Sequence, residues 1–157
     1  MDKVPFKPKP GQIDFTNARY APVLSCLVVN NGKILIVRRS RNSEYYPNCW
    51  AGITGFLDDK KTIREKVEEE LQEELNINPA QITKIQVGPI FEYNDEKYQK
   101  TWISHPVLVE ISTDKITLDW EASEYKWITP RDVKNYAFGP GFTTVFKTFF
   151  GETDQLR

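Results

Sequence analysis

Gly55-Phe-Leu-Asp-Asp-Lys-Lys-Thr-Ile-Arg-Glu-Lys-Val-Glu-Glu-Glu-Leu-Gln-Glu-Glu-Leu-Asn-Ile77 decides the fold of this chain. A glycine turn leads into a helix that starts near Thr62. Thr62 followed three residues later by Glu65 is a capping-box signature. Ile63, Val67, Leu71 and Leu75 then recur every fourth residue, which at about 100° per residue makes one apolar stripe. Asn76 tolerates the left-handed conformation that ends a helix, and Pro79 blocks its return. Glu70, Glu73 and Glu74 share a patch beside the stripe. Glu65–Glu69, Glu69–Glu73 and Glu70–Glu74 are like-charge pairs at i, i+4, each costing a helix about 0.2–0.5 kcal/mol. A solvated helix face explains such a row. So does a hard divalent cation, which prefers carboxylate oxygens and removes the repulsion.

Composition frames the rest. The chain has 157 residues, 39% hydrophobic and 27% charged, with a formal net charge of −1. That is enough for one domain with a core. It supplies no overall field to recruit nucleic acid or an anionic membrane. Two cysteines, Cys26 and Cys49, are too few for a disulfide scaffold and read as reduced thiols. There is no signal-peptide pattern and no apolar run of spanning length. A cytoplasmic protein is expected.

Residues 1–17, with Pro5, Pro8, Pro10 and Gly11 among lysines, read as an extended arm partly ordered by Phe6 and Phe15. A single domain follows over residues 18–150, then a tail over 151–157. Tyr20 to Val29 is a strand, Asn30-Asn31-Gly32 a hairpin turn, and Lys33 to Arg39 the returning strand. Ser40 to Asn48 is a loop, and Cys49 to Phe56 one short strand that delivers Gly55 to the helix. Ile82 to Tyr93 is a strand broken at Gly88-Pro89. Asn94 to Lys97 is a turn, and Tyr98 to Ile111 a long strand. Thr113 to Asp119 is a loop and Glu124 to Ile128 a strand. Thr129-Pro130 starts a helix. Gly139-Pro140-Gly141 breaks the chain before an apolar helix over Phe142 to Phe150. This order suits an α+β fold, a mixed β-sheet between helices.

The opening stretch resembles the Nudix box, G-x5-E-x7-R-E-U-x-E-E-x-G-U. Gly55, Glu70, Leu71, Glu73, Glu74 and Ile77 match. Lys61, Glu69 and Asn76 stand where the box has glutamate, arginine and glycine. Three further segments are similar to the family's: Lys33 to Arg39, Pro47-Asn48-Cys49-Trp50, and Ser123-Glu124-Tyr125-Lys126-Trp127-Ile128-Thr129-Pro130. The resemblance implies the Nudix fold, an α/β/α sandwich. It also implies Mg²⁺-dependent hydrolysis of the pyrophosphate bond of a nucleoside diphosphate linked to another group, with Mn²⁺ an alternative ion. By the same resemblance Glu70, Glu73, Glu74 and the Thr54 carbonyl hold the metal. A carboxylate outside the box serves as ligand or base, from Glu121 or Glu124, with Glu92 a weaker third.

Lys61 and Glu69 reverse the charges of the family's pair, so they form a bridge of opposite polarity if the helix brings them together. Arg38 and Arg39 are candidates for substrate phosphates, although arginines ending a strand are more often solvated. Trp50, Tyr46, Phe91 and Tyr93 are candidates for stacking on a base, with core or rim packing the alternative for each. His105, beside Pro106 in a strand, reads as structural. A nucleotide or nucleoside diphosphate derivative is the expected partner. No membrane or specific nucleic-acid site is expected, and a homodimer is left open. Two other readings compete: a Nudix-fold nucleotide-binding module impaired in catalysis, supported by Lys61 and Glu69, and an unrelated α+β protein with an acidic helix.

Overall fold

Two long strands lying parallel carry the molecule. In the computed structural model, which describes residues 8–151, β1 (Tyr20–Asn30) runs beside β7 (Lys100–Ile111) from Tyr20↔Thr101 to Val29↔Glu110. Parallel neighbours need a long crossover, and the elements between them supply it. These are β2 (Lys33–Arg39), β3 (Trp50–Ala51), β4 (Ile53–Phe56), α1 (Ile63–Leu75), β5 (Ile82–Val87) and β6 (Phe91–Asp95). β8 (Ala122–Ile128) and α2 (Phe142–Phe150) follow. β2 and β4 pair antiparallel with β1, β5 and β6 with β7, and β3 and β8 with β2. The described residues form one eight-stranded mixed sheet. This is the α+β arrangement the element order implied. Residues 1–7 of the expected arm, including Phe6, and 152–157 of the tail lie outside the described residues.

Alternation along the strands gives the sheet two buried faces. Leu24, Cys26, Val28, Leu35, Val37 and Ile53 meet Val67, Leu71 and Leu75 of α1. Those three are fully buried and Ile63 partly so, while Glu65 and Gln72 are exposed and Glu68 is half-buried. The predicted stripe is therefore the packed side. Each buried leucine contributes about 1.5–3 kcal/mol, more than a like-charge pair takes away. On the opposite face Leu27, Val29, Ile34 and Ile36 pack with Val133, Phe142, Val145 and Phe146.

The ends of α1 follow the sequence. Thr62 Oγ1 accepts from the Glu65 amide, Glu65 Oε1 accepts from the Thr62 amide, and Asn76 sits at φ 56°. Three segments differ from expectation. Cys49 to Phe56 is two strands, β3 pairing with β2 and β4 with β1. The bend falls at Gly52, where any Cβ would collide with the Cys26 carbonyl. Asn94 and Asp95 still pair with β7, so the turn comes later than Asn94 to Lys97. The helix begun by Thr129-Pro130 is a 3₁₀ turn, Pro130–Asn135.

The described part of the arm is fastened to the sheet by a lysine. Lys100, 2% exposed, donates from Nζ to the carbonyls of Phe15, Thr16 and Ala18. Three acceptors match the three N–H groups of an ammonium. Burial nevertheless pulls its pKa below the usual lysine value. Phe15 stacks on Phe56 with centroids 5.9 Å apart.

Candidate active site

The acidic side of α1 borders an open cleft of about 1380 Å³. Its lining includes Thr54 and Gly55 from β4, Glu69, Glu70, Glu73 and Glu74 from α1, and Glu121 just before β8. Gly55 is glycine for a spatial reason. A Cβ there would stand 2.6 Å from Glu70 Oε1, so the carboxylate occupies the space a side chain would take.

Glu70 and Glu74 are driven toward the neutral form. Burial raises Glu70 to about 7, against the lowering by the Glu74 carboxyl and the Lys66 charge. Burial, then the charges of Glu121 and Glu70, push Glu74 well above the usual range. Burial also raises Glu121. Among the described residues Oε2 of Glu69 and Oε2 of Glu74 are buried with no hydrogen-bond partner; the Lys66 ammonium stands 3.1 Å from the first, and the second is left wanting a cation or a donor. Glu73 is exposed at the cleft edge. Among the described residues no three acidic, histidine or cysteine side chains already stand in ligand geometry around one point. Yet the donor set is all hard carboxylate oxygen, and it fits a hard divalent cation.

The structure separates the two acids considered outside the box. The register between β2 and β8 slips at Arg38/Arg39, leaving Ser123 unpaired between Glu124↔Arg38 and Ala122↔Arg39. Such a bulge re-aims the residues beside it. Ala122 packs on the α1 face, and the Ser40 amide donates to the Glu121 carbonyl, setting Glu121 at the cleft. Glu124 stands apart from the cleft. It pairs with Arg38 at 3.3 Å, both side chains nearly half exposed, and neither lines the cleft. Strand alternation accounts for this: Arg38 is in step with Ile34 and Ile36, which face α2, whereas Arg39 is in step with Leu35 and Val37, which face α1. Arg39 lines the cleft and donates to the Tyr45 carbonyl and, at 3.4 Å, to Thr54 Oγ1. Glu92 is exposed and is not among the lining residues.

Tyr46, Trp50 and Tyr93 line the cleft, but each is engaged by the protein. Tyr46 donates to Asp95 Oδ2 at 2.7 Å, and Tyr93 to the Pro140 carbonyl at 3.2 Å. Trp50 meets Tyr136 edge-on. Phe91 is not among the lining residues; it stacks on Tyr93. Trp120, which the sequence reading did not single out, is 65% exposed and lines the cleft beside Glu121.

Lys61 and Glu69 do meet, at 2.7 Å, so the reversed bridge forms. The sequence reading missed their neighbour. Lys66, 4% exposed, reaches Glu69 Oε2 at 3.1 Å, Asp58 Oδ1 at 3.2 Å, Asp59 Oδ2 at 3.4 Å and Glu70 Oε1 at 3.9 Å. Burial opposes its charge, but the Glu69 and Asp58 carboxylates beside it outweigh that and raise its pKa. Burial would likewise raise Glu69, yet the two lysines hold it below the usual carboxylate value. Asp58 ties the cluster to the arm, its Oδ2 accepting from Gln12 Nε2 and its carbonyl from the Ile13 amide.

The chain belongs to the NUDIX domain family, whose family model matches residues 19–147. It is 21% identical over 127 residues to the nucleoside triphosphatase NudI of Klebsiella pneumoniae (strain 342), covering 75% of this chain and 88% of that protein. It is 27% identical over 127 residues to an isopentenyl-diphosphate Delta-isomerase of Kocuria rhizophila, covering 74% and 69%. The NUDIX domain of Shewanella oneidensis NrtR, solved with ADP ribose, superposes with a TM-score of 0.68 at 15% identity, over 82% of this chain and 85% of that one. No described helix is long and apolar enough to cross a membrane.

Proposed function

We propose that the chain is a cytoplasmic hydrolase that cuts the pyrophosphate bond of a nucleoside diphosphate linked to another group. The observation that carries this is the meeting of Glu70, Glu74 and Glu121 at one cleft, with Glu74 Oε2 buried and unpartnered. Glu70 and Glu74 would hold Mg²⁺ or Mn²⁺, with Glu73 and the Thr54 carbonyl beside them. When bound, the ion neutralises phosphate oxygens and sharpens the attacking water. Glu121 takes the proton of that water as oxygen bonds to phosphorus and the bond to the leaving phosphate breaks. Arg39 faces the phosphates from β2. Trp120, exposed at the rim, offers its ring to a base, a contact of the kind worth about 0.5–1.5 kcal/mol beyond burial. The nucleoside triphosphatase relative and the ADP-ribose-bound neighbour support a nucleotide derivative as substrate.

The reversed Lys61–Glu69 bridge favours an active over an impaired site, because a charge-assisted bond restrains the residue before Glu70. The test is Mg²⁺-dependent phosphate release from a panel of nucleoside diphosphate derivatives and nucleoside triphosphates, with Glu70→Gln as control. Turnover that needs the metal and disappears in the variant is expected. Metal-independent nucleotide binding without turnover would instead assign a binding module. Turnover unmoved by Glu70→Gln would remove the box from the chemistry.

A further inference from the structure

We propose that Lys66 is a built-in counter-cation, a positioning residue that occupies the Asp58–Asp59–Glu69 side of the acidic cleft and confines divalent ions to the Glu70–Glu74–Glu121 side. The inference rests on the metal-dependent reading above, and it concerns a residue that reading does not use.

The carboxylates around the cleft fall into two groups. Among the described residues Glu74 and Glu121 carry no bridge to a lysine or arginine; Oε2 of Glu74 and Oε2 of Glu69 are both buried without a hydrogen bond, but the Lys66 ammonium stands 3.1 Å from that of Glu69. Asp58, Asp59 and Glu69 surround the Lys66 ammonium, with Lys61 closing on Asp59 and Glu69 from outside. Glu70 stands between the groups, 3.9 Å from Lys66 on one side and against Gly55 on the other. Asp58, Asp59 and Glu69 each turn a carboxylate oxygen toward the Lys66 ammonium, hard donors of the kind a divalent ion prefers once that ammonium is removed. The ammonium, on a side chain 5% exposed, cannot diffuse away. Moving it would leave buried Asp58 without its counter-charge, held only by the neutral Gln12 amide, which is costly.

The same arrangement explains how the reversed bridge is tolerated. Glu69 in place of arginine adds a negative charge next to Glu70, and Lys66, one turn earlier on the helix, supplies the compensating positive charge. Restoring the family's pair by Lys61→Glu with Glu69→Arg would set the arginine against Lys66. That double change is expected to fail unless Lys66 is also made neutral.

The experiment counts Mn²⁺ bound per chain by calorimetry and electron paramagnetic resonance, for the unaltered protein, Lys66→Met, Lys66→Gln and Lys66→Arg. Lys66→Gln keeps donors toward Asp58 and Glu69 and guards against a Lys66→Met variant that does not fold. Both neutral variants should bind one more Mn²⁺ than the unaltered protein and gain a larger Mn²⁺-induced rise in Tm. Lys66→Arg should match the unaltered protein in both readings. An unchanged Mn²⁺ count in the folded neutral variants would overturn the proposal. Failure of the unaltered protein to bind Mn²⁺ at all would instead count against the hydrolase reading, so the two failures are distinguishable.

Discussion

The two helices cover opposite faces of the same sheet in opposite ways. α1 carries six glutamates in thirteen residues and buries a narrow stripe of Val67, Leu71 and Leu75. α2 carries one charge in nine residues and lays Phe142, Phe146 and Phe150 in a stacked row. The aromatic side is filled by stacked rings beyond its first turn, where Phe142 and Val145 join the acidic side in lining the cleft. A sheet face covered by a narrow stripe keeps room for polar groups beside the core, whereas one covered by phenylalanines becomes mostly core. The candidate chemistry gathers where packing is least generous.

The largest test of that contrast is Phe146→Ala. Phe146 is fully buried, so the change should destabilise the fold by about 3–5 kcal/mol. Urea titration measures it, and Mn²⁺ binding by the folded fraction should stay unaltered. A Mn²⁺ site lost along with Phe146 would mean the two faces are not separable. On the acidic side, Glu70→Gln should lower kcat by about a hundredfold or more with the fold intact, since electrostatic stabilisation dominates phosphoryl transfer.

Glu74→Gln sharpens the comparison from the other direction. Removing a buried carboxylate that is expensive to ionise should stabilise the metal-free protein at pH 8 by about 1 kcal/mol or more, while weakening the metal-bound form. A metal-free Tm that falls would contradict this. The pH dependence follows with the same sign. Glu70 is raised to about 7, so the folded state holds protons that the unfolded state has released above about pH 4.5. Its contribution to metal-free stability therefore declines as pH rises from about 4.5 through 7. A divalent ion competes with those protons, so the Mg²⁺-induced rise in Tm should grow from pH 5 to pH 8. A rise that shrinks with pH would place the ion elsewhere. The smallest effect is expected at Arg38 and Glu124, an exposed pair on the α2 side. Glu124→Gln should alter stability by about 0–1 kcal/mol and leave kcat alone. A large loss of kcat there would return Glu124 to the chemistry.

The sequence was most readable where one local rule acts. Every fourth-residue apolar spacing placed the buried side of α1, Thr62 and Glu65 marked its start, and Asn76 its end. Most strands of the sheet and the apolar helix at Phe142–Phe150 were legible in the same way. Glu70, Glu73 and Glu74 could be set beside one another from helix geometry alone. What escaped depends on contacts distant in sequence. Choosing Glu121 over Glu124 needed the bulge at Ser123, which exists only once β8 pairs with β2. Lys66 lies next to the stripe and reads as an ordinary surface lysine until Asp58 and Asp59 fold over it. The division at Gly52 came from a carbonyl of β1.

The glycine beneath Glu70 has a consequence for how such a chain can change over generations. The Glu70 carboxylate sits where a Cβ at position 55 would go, so a side chain gained there must push the carboxylate aside. A side chain gained at 55 displaces the acid before any other residue senses it, and a shorter acid at 70 leaves a hollow that a new side chain at 55 could fill. Under the proposed function, a bulkier residue at 55 would move the Glu70 carboxylate away from the cleft and is expected only in relatives that have lost the activity.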